Sequence, residues 1–231
     1  MGMPDPSQYD SFAGAYGDFA ETAPYNALYD RPATLELIGD VSGLRVLDAA
    51  CGPGIYLETL RAGGADVSGF DGSREMVEVA RGRVGAEVPL RVHSMDDPLD
   101  WIEDGSLDLV VCALAYHYVD DRLGFLKEVH RVLRPGGGMV ISTSHPTNDW
   151  VRLGGSYFTD APVAETWSRG WVITAVRCPL GRLTAEFAEA GFLIERLVEP
   201  LPMAEMASTH PEAFEKLSSQ PGFILFRLLK R

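Results

Sequence analysis

The stretch Val46-Leu-Asp-Ala-Ala-Cys-Gly-Pro-Gly54 puts a carboxylate, a thiol and two glycines into one short segment. Such a turn can cradle a phosphate, present Cys51 as a nucleophile, or close its main chain on another ligand. Asp71 supplies a second carboxylate further along, and His117 and His145 are the imidazoles placed to move a proton. Histidine titrates near neutral pH, which is what a general base requires.

These residues need a scaffold, and the hydrophobic periodicity supplies one. Residues 9–39 are predicted helical, with Tyr9, Phe12, Tyr16 and Phe19 on one face and Pro24 and Pro32 as interruptions. Arg45–Asp48, Asp66–Asp71, Leu90–His93, Leu107–Leu114 and Met139–Ser144 have the pattern of buried strands. Between them lie helical patterns at Ile55–Ala62, Ser73–Val84, where Ser73 is the expected cap, and Leu123–Leu133. Pro135-Gly-Gly-Gly138 is predicted to break the chain before the fifth strand. Strands alternating with helices give an α/β fold, a Rossmann-like doubly wound, mostly parallel sheet of seven strands. An N-terminal helical segment precedes it, and an irregular insertion follows the fifth strand. A helix at Leu180–Ala190 and strands at Phe192–Glu199 and Gly222–Leu229 complete the sheet, with a short helix expected around Glu212–Leu217.

At 231 residues the chain suits one domain. Its parts are a helical cap (1–39), a ligand-binding core (40–145), an aromatic-rich insertion (146–180) and a C-terminal helix with strands (181–231). A net charge of −13 with no dense run of Lys or Arg argues against a nucleic-acid partner. Residues 1–7 lack the pattern of a secretory signal, so a cytoplasmic location is expected. The most apolar window, Leu107–Ala115, is too short to span a bilayer. Three cysteines in unrelated contexts fit neither a disulfide framework nor a metal site.

In an open parallel sheet, ligands sit beyond the carboxyl ends of the strands. A dinucleotide fingerprint fits only in part: Gly52 and Gly54 match, but its third glycine falls on Leu57. Asp48 would also repel a pyrophosphate, whereas it favours a ligand with a cationic end. Asp71, closing the second strand, suits both hydroxyls of a ribose. A ribose with a positive charge and no phosphate describes S-adenosyl-L-methionine. The turn resembles the first motif of class I S-adenosylmethionine-dependent methyltransferases. Gly69-Phe-Asp-Gly-Ser-Arg-Glu-Met76, Asp104-Gly-Ser-Leu-Asp-Leu-Val-Val111 and Arg131-Val-Leu-Arg-Pro-Gly-Gly-Gly138 resemble later motifs in the same order. Residues 9–35 and the tail are also similar to small bacterial members near the ubiquinone/menaquinone-biosynthesis methyltransferases.

The resemblance implies roles. Ala50, Cys51, Gly52 and Gly54 run along the methionine part of the donor, Asp71 takes the ribose, and Met76 packs on adenine. Ser94, Met95 and Asp96 hold the adenine edge, and Leu114 lies under the methionine moiety. Tyr16 belongs to a segment that covers the donor, in which Arg31 pairs with its carboxylate. Two positions depart from the family: Ala50 replaces a usual glycine, and Gly72 a usual bulky residue. The implied activity is transfer of a methyl group to a small-molecule O-, N- or C-nucleophile, leaving S-adenosyl-L-homocysteine. His117 or His145 is the candidate base, and homodimerisation is compatible with this reading. The aromatic residues Trp150, Tyr157, Phe158, Trp167 and Trp171 form either a hairpin core or an acceptor pocket. A donor-binding partner subunit without turnover and a nucleotide-dependent oxidoreductase are the competing readings.

Overall fold

The computed structural model describes residues 4–5, 7–167 and 169–231. The opening segment, read above for a leader, lies partly outside them. Helix α1 (Ala13–Thr22) leads through a π-turn, Asn26–Asp30, into α2 (Arg31–Ile38). The alternating core follows: β1 (Arg45–Ala49), α3 (Ile55–Ala62), β2 (Asp66–Asp71), α4 (Arg74–Val84), β3 (Leu90–Val92) and β4 (Leu107–Ala113). After β4, a 3-10 turn at Tyr116–Tyr118 precedes α5 (Arg122–Val132) and β5 (Leu133–Ser144).

The strands β1 to β5 run parallel. Two C-terminal strands, β8 (Phe192–Val198) and β9 (Phe223–Lys230), complete a sheet of order β3-β2-β1-β4-β5-β9-β8, with β9 antiparallel to β5. Strand order reverses between β1 and β4, and that crevice is where open sheets bind ligands. Successive residues of the central strands bury on opposite faces. Val110 joins Phe125, Leu126, Phe187 and Phe226 on one side, while Val111 joins Val46, Leu57, Leu60 and Val140 on the other. Burial on both faces is why β4 reads as a continuous apolar run.

Two expectations need correction. Strand β5 begins at Leu133, immediately after α5, and not at Met139. Leu107 pairs with Leu133 and Leu109 with Gly138, so the Pro135–Gly137 stretch is accommodated as an irregularity within the strand. Gly137 fits there because a Cβ would lie 2.9 Å from the Arg134 carbonyl oxygen. The insertion is also regular. It holds α6 (Pro146–Leu153) and a hairpin of β6 (Ala161–Thr166) and β7 (Val172–Arg177). Pro146 starts α6, where a missing N–H costs nothing, and the glycines after Leu153 stop it. Helix α7 (Leu180–Glu189) then leads to β8. The connection from β8 to β9 carries α8 (Met206–Thr209) and a longer helix than expected, α9 (Pro211–Ser219). Among the described residues, no helix is long and apolar enough to cross a membrane.

Candidate active site

A cleft of about 1040 Å³ opens at the carboxyl ends of β1, β2 and β4. Its floor is the turn after β1. Gly54 there has φ +80°, and a Cβ would come within 3.1 Å of the Ala80 backbone, so only glycine lets α3 and α4 approach this closely. Ala50 (φ 59°) and Leu114 (φ 51°) are left-handed without being glycine. Both stand just past strand ends and both line the cleft. Strain held in this way collects where a ligand is bound. At Ala50 it also explains why the related motif favours glycine.

Asp48 lines the cleft from within β1, only 2% exposed, and its Oδ2 has no hydrogen-bond partner among the described residues. Burial pushes its carboxyl up to about 8, with the charge of Asp71 adding to the effect. Asp71 has firmer support. Its Oδ2 accepts the Gly52 N–H and its Oδ1 the Ser73 N–H, both at 2.8 Å. Burial raises it to about 6 against the pull of these bonds. Each oxygen keeps a lone pair for a further donor. Ser73 caps α4 through the Met76 N–H at 3.1 Å, which holds buried Met76 beside Gly72 in the wall.

The loop after β3 closes one end. Ser94 Oγ accepts the Asp96 N–H, and Asp96 Oδ1 accepts the N–H groups of Asp120 and Asp121 at 2.8 Å each. Asp96 thereby braces the loop after β4 while lining the cleft. Met95 packs against the core at Cys112. Cys51 also lines the cleft, but burial and then the Asp48 charge push its thiol well up, so it is no thiolate nucleophile.

The N-terminal segment forms the roof. Tyr16 lines the cleft, its phenol pushed up to about 12 by burial. Arg31 also lines it, its guanidinium held by the carbonyls of Ala20 (2.5 Å) and Glu21 (3.3 Å). Tyr25 and Tyr29, in the same segment, face Phe223 and the α8–α9 side.

Neither candidate base lines the cleft. His117 Nδ1 lies 3.0 Å from Thr143 Oγ1, and burial lowers its imidazole to about 4, so it is neutral at neutral pH. His145 caps α6: its Nδ1 accepts the Thr147 N–H at 3.1 Å, which leaves Nε2–H to donate to Glu199 at 2.9 Å. With both nitrogens engaged, His145 is held as the cap of α6 outside the cleft lining.

The five insertion aromatics separate. Trp171 stacks on Phe12 at 4.6 Å, and Trp167 meets Tyr9 and Tyr16, joining hairpin to roof. Trp150, Tyr157 and Phe158 form an outer group, with Phe158 80% exposed. Sequence reasoning missed Gln8, Tyr9, Asn26, Asp30, Tyr56 and Tyr118 as lining residues. Tyr9 and Tyr118 come from distant segments, and their phenol oxygens lie 2.7 Å apart. Gln8 accepts the Thr174 N–H at 2.9 Å, tying the roof to β7. For Asp30 the signal was present: an acid directly before Arg31 at the start of a helix.

Residues 47–141 match the methyltransferase domain family. The chain is 36% identical over 126 residues to a demethylmenaquinone methyltransferase of Lactococcus lactis, covering 51% of this chain and 49% of that protein. It is 35% identical over 130 residues to a ubiquinone biosynthesis O-methyltransferase of Xanthomonas oryzae, covering 54% and 53%. The chain thus spans about half the length of the curated relatives it matches. A solved S-adenosylmethionine dependent methyltransferase from Mesorhizobium loti superposes with a TM-score of 0.71 at 25% identity, over 91% of this chain and 100% of that one. The matched core and the superposition make this chain similar to S-adenosylmethionine-dependent methyltransferases over residues 47–141 and in its fold.

Proposed function

We propose that this protein transfers the methyl group of S-adenosyl-L-methionine to a small-molecule acceptor. The observation that carries the reading is Asp48: a buried carboxylate oxygen, unpartnered among the described residues, in the wall of a cleft built on a glycine turn. Such an oxygen is costly unless a donor or cation meets it. A pyrophosphate would hold that carboxyl in its protonated form, whereas a cation stabilises the charged one, which favours a sulfonium donor over a dinucleotide.

The residues fit the donor. Asp71 offers its remaining lone pairs to ribose hydroxyls, and Met76 and Gly72 supply a face for adenine. The Ala50–Gly54 main chain borders the methionine end, with Asp48 favouring positive charge. When bound, S-adenosylmethionine supplies an electrophilic methyl group on a sulfonium sulfur. The protein's part is to hold an acceptor in line with it, which converts a bimolecular step into a unimolecular one. Tyr9, Tyr16 and Tyr118 stand in the same cleft with phenols raised by burial. They orient an acceptor by hydrogen bonds and do not ionise. His117, in edge contact with Tyr118 at 4.2 Å, positions that phenol.

Calorimetry with S-adenosylmethionine, S-adenosylhomocysteine and NAD tests the donor assignment. Saturable binding of the first two without NAD binding is expected. NAD binding without either of the others would contradict it.

A further inference from the structure

Strand β8 ends the sheet, and among the described residues no strand pairs with its outer side. An edge of this kind is a template for pairing with another chain. Apolar side chains stay exposed along it, with Leu193 at 39%, Ile194 at 40% and Leu197 at 45%. Between them β8 carries one acid, one base and a bulge, which ordinarily blunt an edge. Their order in β8 turns them to the opposite use.

The bulge decides which side chains share a face. Ile194 pairs with Leu228 and Arg196 with Arg227, so Glu195 is an extra residue on β8 and the alternation of faces is interrupted there. Ile194 and Leu197, opposite Leu228 and Phe226, lie on the face that carries the α5 and α7 core. Leu193, opposite Leu229, and Val198, opposite Leu225, lie on the other. Arg196 shares that second face with Arg227, which bonds the Leu37 and Ile38 carbonyls of α2. Glu195 joins them by accepting the Arg227 Nε–H at 2.7 Å.

A second β8, antiparallel to the first, fits against it about a twofold axis between Glu195 and Arg196. Glu195 of each copy then opposes Arg196 of the other. Ile194 meets Leu197, and Leu193 meets Val198, each pair on a common face. Moving the axis onto Glu195 sets Ile194 against Arg196, and moving it onto Arg196 sets Ile194 against Val198; both pairs lie on opposite faces. Opposite charges facing each other on neighbouring strands stabilise the pairing. We propose that the outer edge of β8 is a twofold interface on which a second copy of this chain adds its own β8, exchanging Glu195 and Arg196 across the axis. The two seven-stranded sheets then run on as one. Strands β5 and β9 separate β8 from the strand ends that carry the cleft, so both clefts stay open in the pair.

Sedimentation equilibrium of the full chain tests this, alone and with the substitutions Glu195→Arg and Arg196→Glu. The unsubstituted chain should reach twice the mass of one copy at micromolar concentration. Either substitution sets like charges against each other on both sides of the axis, and should weaken association by about tenfold or more. Mixing the two variants restores opposite charges at both positions, so a dimer with one copy of each should form at close to the original affinity. A variant that failed to fold could not be rescued in this way. A monomeric unsubstituted chain would overturn the proposal, as would a dimer indifferent to both substitutions. Variants that dissociate singly and stay apart when mixed would overturn it as well.

Discussion

The Gly52 N–H donates to Asp71 Oδ2 at 2.8 Å, so the carboxylate that closes β2 also fixes the turn that follows β1. One side chain thus shapes both the end of β2 and the turn after β1 in the cleft wall. Removing it, as Asp71→Ala, should weaken donor binding by about 2 kcal/mol. Calorimetry with S-adenosylhomocysteine measures this directly; unchanged affinity would mean that the ribose is held elsewhere.

Donor binding should depend on pH through Asp48. Its folded value of about 8, with Asp30 and Asp71 at about 6, lies above the ordinary 3.8 of a free aspartate. The folded chain therefore binds more protons than the unfolded chain across that window, and its stability without ligand falls as pH rises from about 4 to about 8. A sulfonium near Asp48 favours the ionised carboxylate, so donor binding releases protons and tightens as pH rises from about 6 to about 8. S-adenosylhomocysteine, uncharged at sulfur, should show a shallower slope. Asp48→Asn should flatten the S-adenosylmethionine profile, and titrations in buffers of different ionisation enthalpy would detect the released protons.

The two histidines should separate cleanly. His145→Ala removes the cap of α6 and should lower stability by about 1 kcal/mol without changing the pH profile of turnover. Chemical denaturation measures the first and initial rates the second. His117→Ala should leave donor affinity within about twofold yet lower turnover, because it frees the Tyr118 ring. Parallel losses in both quantities would mean that His117 supports the donor site.

Arg122 binds Glu186 through Nε at 2.9 Å and Nη2 at 3.0 Å, in a group that also holds Asp160, Arg182 and the Tyr116 hydroxyl. Both partners of the central pair are buried. Arg122→Met should cost about 3–5 kcal/mol, because it strips a buried carboxylate of its main partner. A denaturation midpoint equal to that of the unsubstituted chain would contradict this.

What could be read from the sequence follows from what is local. The turn after β1, the acids at Asp48 and Asp71 and the Ser73 cap are short-range patterns, and each sits in or beside the cleft. Helix α6 was missed because it is short and its cap is a histidine. The early start of β5 was hidden because Pro135 and three glycines normally end a strand, whereas here the irregularity is absorbed within it. Tyr9 meets Tyr118, and Asp30 meets Tyr56, only once the roof folds over the sheet. No spacing along the chain announces such pairs. The left-handed backbone at Leu114 was equally silent, since leucine gives no cue to it.

Methyl transfer itself is the most direct test. The full chain is incubated with methyl-labelled S-adenosylmethionine and a small-molecule fraction of a bacterial extract. The account predicts label in a new small-molecule product, and its loss in Asp71→Ala. Intact donor binding with no labelled product from any extract fraction would contradict it.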